Sequence, residues 1–410
     1  MEKTVSIPHP GLGYRQFVAL IAALMATNAL GTDAMLPALG QIGADLHIAH
    51  PNSGQWIITT YILSSGVAQI LYGTLADRYG RKPVLCTALV LFILTSLAAA
   101  CAGSFTLLLL ARIIMGLAAA GPRVLAVSIV RDCYAGRLMA RVMSFAFLAF
   151  GAVPMFAPSL GQIILLGAGW RAIFIGLALF AAAVLVWVAA KLAETLHPKD
   201  RRPIQVSQIL AAARFTLTNR ISLGYSLAIM VVLGCLFGFV NASQQIFAVV
   251  FHQPLWFPAC FAVIAAFMMA SALLNARIVN RFGSRLISHI ALLGFIGCAA
   301  LHLAVVLSGH DTLWIFIGIQ APMMFCFGLL AGNFGAMAME PMGHIAGSAA
   351  SIQGFISIVG ASLIGALIGQ SFNGTLVPMT LGFLAGGLLA LGAALAAENG
   401  RLFQARVVVG

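Results

Sequence analysis

Asp33, Arg112 and Arg123 are charged residues set inside long apolar runs. A charge in hydrocarbon is costly, so such a residue is by default a candidate for ion or substrate handling. Burial penalises a carboxylate charge and a nearby arginine favours it, so a carboxyl can take or release a proton as its surroundings change. Arginine does not titrate in that range. Asp33 is therefore the candidate proton carrier, and Arg112 its candidate partner. Each lies six or seven residues from the same end of its run, about 10 Å deep at 1.5 Å per residue. The plainer alternative is a static ion pair that orders two helices. Arg123 falls on the Arg112 face of one helix, with Met115, Gly116 and Ala119. It could bind an anionic substrate group, neutralise an acid, or snorkel toward the membrane surface.

A second constellation is uncharged. Asn241, Gln244 and Gln245 fall at i, i+3 and i+4, with Phe237 one turn earlier. A polar face beside an aromatic suits a cavity that accepts varied amphiphiles; hydrogen bonding between helices is the alternative. Tyr61, Phe150, Met155, Asn333 and Gln353 are further cavity candidates. His289, His302 and Cys260 are lone polar residues on apolar faces and read as packing. Seven cysteines stand singly, without a C-x-x-C pair, so neither a metal site nor a disulfide frame is expected. No Walker-type loop or nucleophile–base pairing appears, so neither an enzyme nor a bound cofactor is expected.

The elements that carry these residues follow from composition. Of 410 residues, 61% are hydrophobic and 8% charged, against about 25% charged in soluble domains. Such a chain needs lipid around it. Apolar stretches of about 20 residues match a 30 Å hydrocarbon core as helices. Twelve spans are expected, near 16–38, 55–76, 83–102, 105–130, 141–166, 171–192, 221–250, 255–279, 286–307, 312–338, 345–371 and 376–397. Nineteen of the 22 Lys and Arg fall on the side of both termini and the even-to-odd connections. That bias makes both termini cytoplasmic. The net charge of +12 is then a topology signal, and no nucleic-acid partner is expected. The first span is expected to serve as the targeting signal. A hydrophilic stretch from Lys191 to Arg220 divides six spans from six, giving a first half (1–192), a linker (193–220) and a second half (221–410). Ile204 to Phe215 within it could form an amphipathic helix. The halves echo each other: Gly73-Thr-Leu-Ala-Asp77-Arg78-Tyr-Gly80 and Ala276-Arg-Ile-Val-Asn280-Arg281-Phe-Gly283 align at one offset.

Gly73-x-x-x-Asp77-Arg78-x-Gly80-Arg81-Lys82-Pro83 resembles the cytoplasmic signature of the major facilitator superfamily. The glycines permit close helix approach, Asp77 could face a helix N-terminus, and Arg78 could reach Asp132. The resemblance implies a cytoplasmic gate built on Gly73, Asp77, Arg78, Gly80, Arg81 and Asp132. Further marks are similar to drug:proton antiporters: Thr32-Asp33-Ala-Met-Leu-Pro37, Arg112-x-x-x-Gly116 and Ala157-Pro158-Ser-Leu-Gly161-Gln162. Ala157 and Gln162 stand where the antiporter signature usually carries glycine. Gly169-Trp170-Arg171 and Glu340-Pro341-x-Gly-His344 resemble the Bcr/CflA (bicyclomycin-resistance) branch. Met25 stands where some multidrug members carry a second acid.

The expectation is an all-α polytopic membrane protein with about twelve transmembrane helices in two pseudo-symmetric six-helix halves. It would be a proton-coupled antiporter of the bacterial inner membrane, exporting small amphiphilic compounds by alternating access. Its partners would be protons, a small-molecule substrate and the lipid bilayer, and it would work as a monomer. One alternative keeps the fold but moves a single metabolite, outward or by symport; a channel or sensor is the other.

Overall fold

The computed structural model of the chain describes residues 10–201 and 206–403. Thirteen α-helices and no strand occur among the described residues. They are α1 (Tyr14–Asp33), α2 (Leu39–Asp45), α3 (Trp56–Tyr79), α4 (Arg81–Ala100), α5 (Phe105–Cys133), α6 (Gly136–Lys191), α7 (Val206–Thr218), α8 (Arg220–Gln245), α9 (Phe257–Phe282), α10 (Ser284–Leu307), α11 (Leu313–Met339), α12 (Ala346–Gln370) and α13 (Val377–Ala397).

Ten helical stretches are long and apolar enough to cross a membrane. One of them, α6, is 56 residues long and breaks at Gly169, whose φ of 76° and ψ of 175° are not helical. Glycine tolerates that backbone where other residues do not. Two spans therefore meet there, 136–168 and 170–191. α3, with 24 residues, is a further helix of spanning length, diluted by Thr59, Thr60, Ser64, Ser65 and Gln69. This makes twelve helices of spanning length among the described residues.

The first helix ends earlier than the apolar run suggests. α1 stops at Asp33, and a single 3₁₀ turn (Leu36–Ala38) carries the chain past Pro37 into α2. Proline lacks the amide hydrogen and crowds the preceding turn. The linker helix runs from Val206 to Thr218; the expected start at Ile204 lies outside the described residues.

The chain divides into two compact units. Of the described residues, the first holds 10–41, 45–47, 60–201 and 206; the second holds 42–44, 48–59 and 207–403. The break at 206/207 falls in the hydrophilic linker. The short segment 48–59 leaves its sequence neighbours and joins the second unit. In the first unit, α1, α4, α5 and α6 enclose Phe17, Leu20, Leu24, Leu89, Leu125, Ile129 and Val188. In the second, α8 and α12 pack through small residues: a methyl at Gly234 would meet Ile364, one at Gly238 would meet Ile368, and one at Gly365 would meet Phe237. Such close backbone approach is how helices associate where lipid offers no hydrophobic drive. Large apolar side chains point outward, among them Leu166, Leu255 and Leu367, each about 70% exposed, as a lipid-facing surface requires.

Candidate functional site

Asp33 is buried, 7% exposed, at the last turn of α1. Against the next residue, Ala34, packs the first limb of α6, so tightly that a methyl on Gly161 would collide with the Ala34 carbonyl. The Ala157 to Gln162 motif thus seats a glycine beside the acid. Arg112, fully buried on α5, donates through one guanidinium nitrogen to the Gly31 carbonyl at 2.9 Å. The same nitrogen approaches the Met115 sulfur at 3.5 Å. Its guanidinium carbon stands 4.0 Å from the Tyr61 ring centre and 5.9 Å from that of Phe174. Tyr61 donates its hydroxyl to the Asn28 carbonyl at 3.0 Å.

The expected Asp33–Arg112 contact is not made: no ion pair joins them among the described residues. The reason is azimuth. Two residues advance an α-helix by about 200°, so the turn that gives Gly31 to α5 directs Asp33 elsewhere. Equal depth does not set facing. Tyr61 instead lies in the field of both groups. Arg123 is half-buried, its guanidinium 5.7 Å from the Phe150 ring. Met155 is half-buried on α6, and Met115 fully buried on α5.

The signature at the α3–α4 junction forms a charge cluster inside the first unit. Arg81 bonds Asp77 at 2.5 Å and Asp132, at the end of α5, at 2.9 Å. The arginine that reaches Asp132 is therefore Arg81. Arg78 is exposed and lies beside Tyr79. Gly80 turns the chain at φ 105°, and a Cβ there would stand 2.6 Å from the Glu194 carboxylate. Glu194 accepts from the amides of Arg81, Lys82 and Leu196 at 2.9, 3.1 and 2.9 Å. It therefore neutralises the α4 N-terminus, where a carboxylate is favoured. Gly73 lies on α3 one turn before Asp77.

The second unit repeats this arrangement. Arg285, at the start of α10, bonds Glu340 at 2.6 Å and Glu398 at 2.8 Å. Glu340 follows α11 as Asp132 ends α5, and Glu398 follows α13 as Glu194 follows α6. Glu194, Arg285 and Glu398 were missed in the sequence. Ala193-Glu194 and Ala397-Glu398 repeat at nearly the offset of the glycine motifs and would have marked both acids.

The polar face on α8 is largely occupied. Gln245 accepts from the Gln55 amide and donates to Asn52 at 2.9 Å. Asn52 donates to the carbonyls of Gln370 and Phe372 at 3.0 and 2.8 Å. Gln370 donates back to the Asn52 carbonyl at 2.8 Å and to Gln55 at 3.4 Å. Gln55 also donates to the Gly369 carbonyl at 3.0 Å. Four amides thus close a ring between the Pro51–Gln55 turn, α8 and α12, all within the second unit. Asn241 is buried with no partner on its side-chain oxygen among the described residues. Gln244 is half-buried, and Phe237 packs on Gly365. Asn333 donates to Asn275 at 2.8 Å, and Gln353 to the Gly335 carbonyl at 3.4 Å.

Comparison with known proteins converges on one family. The family model described as Major Facilitator Superfamily matches residues 21–369. An uncharacterized MFS-type transporter of Bacillus subtilis, YdgK, is 28% identical over 88% of this chain and 90% of its own. A bicyclomycin resistance protein homolog of Haemophilus influenzae is 27% identical over 88% and 91%. The crystal structure of a D-xylose-proton symporter superposes with a TM-score of 0.72 at 13% identity, covering 96% of this chain and 99% of that one. The last likeness speaks for the fold alone. Apolar helices of membrane length, the glycine–aspartate–arginine junction and a family match over most of the chain lead to one statement: this protein belongs to the Major Facilitator Superfamily and is a multi-pass membrane transporter.

Proposed function

We propose that the protein is a proton-coupled antiporter that exports small amphiphilic compounds across the bacterial inner membrane by alternating access, with both termini cytoplasmic. Its kinship with proteins named for bicyclomycin and multidrug resistance supports the substrate class. The observation that carries proton coupling is Asp33, an acid buried at the end of α1 with no ion-pair partner among the described residues. A lone buried carboxylate charge is costly, so a small change in exposure is enough to move a proton on or off it. Tyr61 lies in the electrostatic field of both Asp33 and Arg112, so a change in the charge of Asp33 is felt there. Candidate substrate contacts are Tyr61, Met115, Arg123, Phe150 and Met155 in the first unit. In the second they are Phe237, Asn241, Gln244, Gln245, Asn333 and Gln353.

Two fastenings bear on the cycle. The Asp77–Arg81–Asp132 cluster, with Gly73, Arg78 and Gly80, acts at the cytoplasmic side. The amide ring holds the turn that leads into α3 and has to release for that turn to move. The test uses purified protein reconstituted into vesicles with an imposed pH gradient. Bicyclomycin and a panel of lipophilic cations and neutral amphiphiles are added in turn. At least one compound should release protons from the protein in detergent and move uphill in vesicles when the gradient is present. Uphill movement that ignores the gradient rejects the reading.

A further inference from the structure

His289 lies on the first turns of α10, 1% exposed, beside the Arg285 cluster. The sequence alone marks it as a packing residue. Its two ring nitrogens are both engaged, and the partners fix their roles. Nδ1 lies 3.0 Å from the backbone nitrogen of Phe403. A backbone N–H can only donate, so Nδ1 is an acceptor and carries no hydrogen. The single hydrogen of the neutral ring is then on Nε2, 3.2 Å from the Tyr225 oxygen. Tyr225 in turn donates to Glu398 at 2.9 Å, which also accepts from Arg285. The chain of donors therefore runs in one direction, from Phe403 to His289 to Tyr225 to Glu398.

This order holds down the segment after the last span. Beyond α13 the chain turns through Asn399 (φ 54°) and Gly400 (φ 75°) and brings Phe403 back to α10. Phe403 itself sits at φ 68°, a region that bulky side chains avoid. Its ring meets the His289 ring edge-on at 5.6 Å. A disfavoured backbone persists only where surrounding contacts hold it. Backbone bonds close the turn at Gly400 and Arg401, and among the described residues the hydrogen bond and ring contact of Phe403 are both with His289.

We propose that His289 is an acid-released latch for the turn Asn399–Phe403 that follows α13. A proton added to the neutral ring goes to Nδ1, the only vacant position. Nδ1–H then faces Phe403 N–H, two donors with no acceptor between them. The bond is lost and the segment swings free, while Nε2–H stays on Tyr225. The charged and titratable groups around the ring permit the step. Tyr225 faces it from α8, Glu398 from the end of α13, and Arg285 from one turn earlier on α10; Arg285 also holds Glu340 from the end of α11. The sign follows from linkage. The released form binds one more proton than the docked form, so docking is complete at high pH and is lost as pH falls, by up to about tenfold per pH unit. With the C-terminus in the cytoplasm, the latch would respond to cytoplasmic acid. It does not require Asp33 coupling or any particular substrate.

The test is a nitroxide on Arg401→Cys, exposed in the turn after α13, in otherwise cysteine-free full-length protein, with mobility read from pH 8 to pH 5. The expected result is an immobile probe at pH 8 and a mobile one at pH 5, with a single-proton transition. His289→Asn places an acceptor near the Nδ1 position and cannot be protonated, so its probe should stay immobile throughout. His289→Gln places its amide near Nε2 and loses the Phe403 bond, so its probe should be mobile throughout. A flat wild-type profile overturns the proposal without any substitution at His289. So does a His289→Asn probe that is mobile at pH 8 or that still titrates.

Discussion

Replacing Asp33 by asparagine keeps the size of a buried side chain and removes its ability to titrate. The expected outcome is loss of substrate-induced proton release and of gradient-driven uphill transport, with downhill exchange retained. All three can be measured on one reconstituted preparation. Arg78 and Arg81 make a second comparison, because only one of them is tied into the structure. Arg81→Ala strips two carboxylates of their cation. Since Asp77 is 45% exposed on its side chain and solvent screens it, the loss should be nearer about 2 kcal/mol than the 3–5 kcal/mol of a fully buried pair. Arg78→Ala should change stability by less than about 0.5 kcal/mol, as at other exposed positions. Thermal unfolding in detergent separates the two. The motif spells both arginines alike, and residue type alone did not tell which one turns inward. That Arg112 lies level with the end of α1, where it reaches the Gly31 carbonyl, follows from a count along two apolar runs. Azimuth does not, because it depends on which face of α1 meets α5.

Gly161 shows how an element places a residue it does not touch chemically. The first limb of α6 can lie against the end of α1 only while position 161 lacks a side chain. Gly161→Leu should cost about 1–3 kcal/mol by overpacking and should also displace Asp33. A melting shift accompanied by altered proton release would show both effects; a melting shift alone would restrict the glycine to packing. The α4 N-terminus gives a second case. Glu194→Ala removes the acceptor for three backbone amides, and the expected loss is about 0.5–2 kcal/mol, the range for a helix cap. Helices were legible as apolar runs, and their ends where Gly80, Gly169 or Gly283 interrupts them; the end of α1 before Pro37 was not, since the expected span ran on to 38. The charge clusters were half legible. Asp77 and Asp132 flank spans in an obvious way, but Glu194 and Glu398 lie just past spans six and twelve and read as ordinary surface acids until Arg81 and Arg285 are seen beside their helices.

The orientation of the whole molecule rests on the Lys and Arg bias, and it can be checked directly. A cysteine at Asn373, in the exposed turn between α12 and α13, should react with an impermeant reagent added to intact cells. One at Ser207, exposed at the start of α7, should react only after lysis. Asn52 would be a poor reporter, since its amide belongs to the ring on α8 and α12. That ring was invisible in the sequence, because the residues it pairs lie 190 to 318 positions apart and nothing local announces the pairing. Its composition has an electrical consequence. Every side chain in it is an uncharged amide, so undoing it carries no net charge through the membrane field. A potential that does about 2.3 kcal/mol of work per elementary charge per 100 mV therefore does none on that step. Any voltage dependence of turnover has to originate at Asp33, the arginines or the substrate, and a neutral substrate assayed with Asp33→Asn should keep only the share of it that the arginines carry.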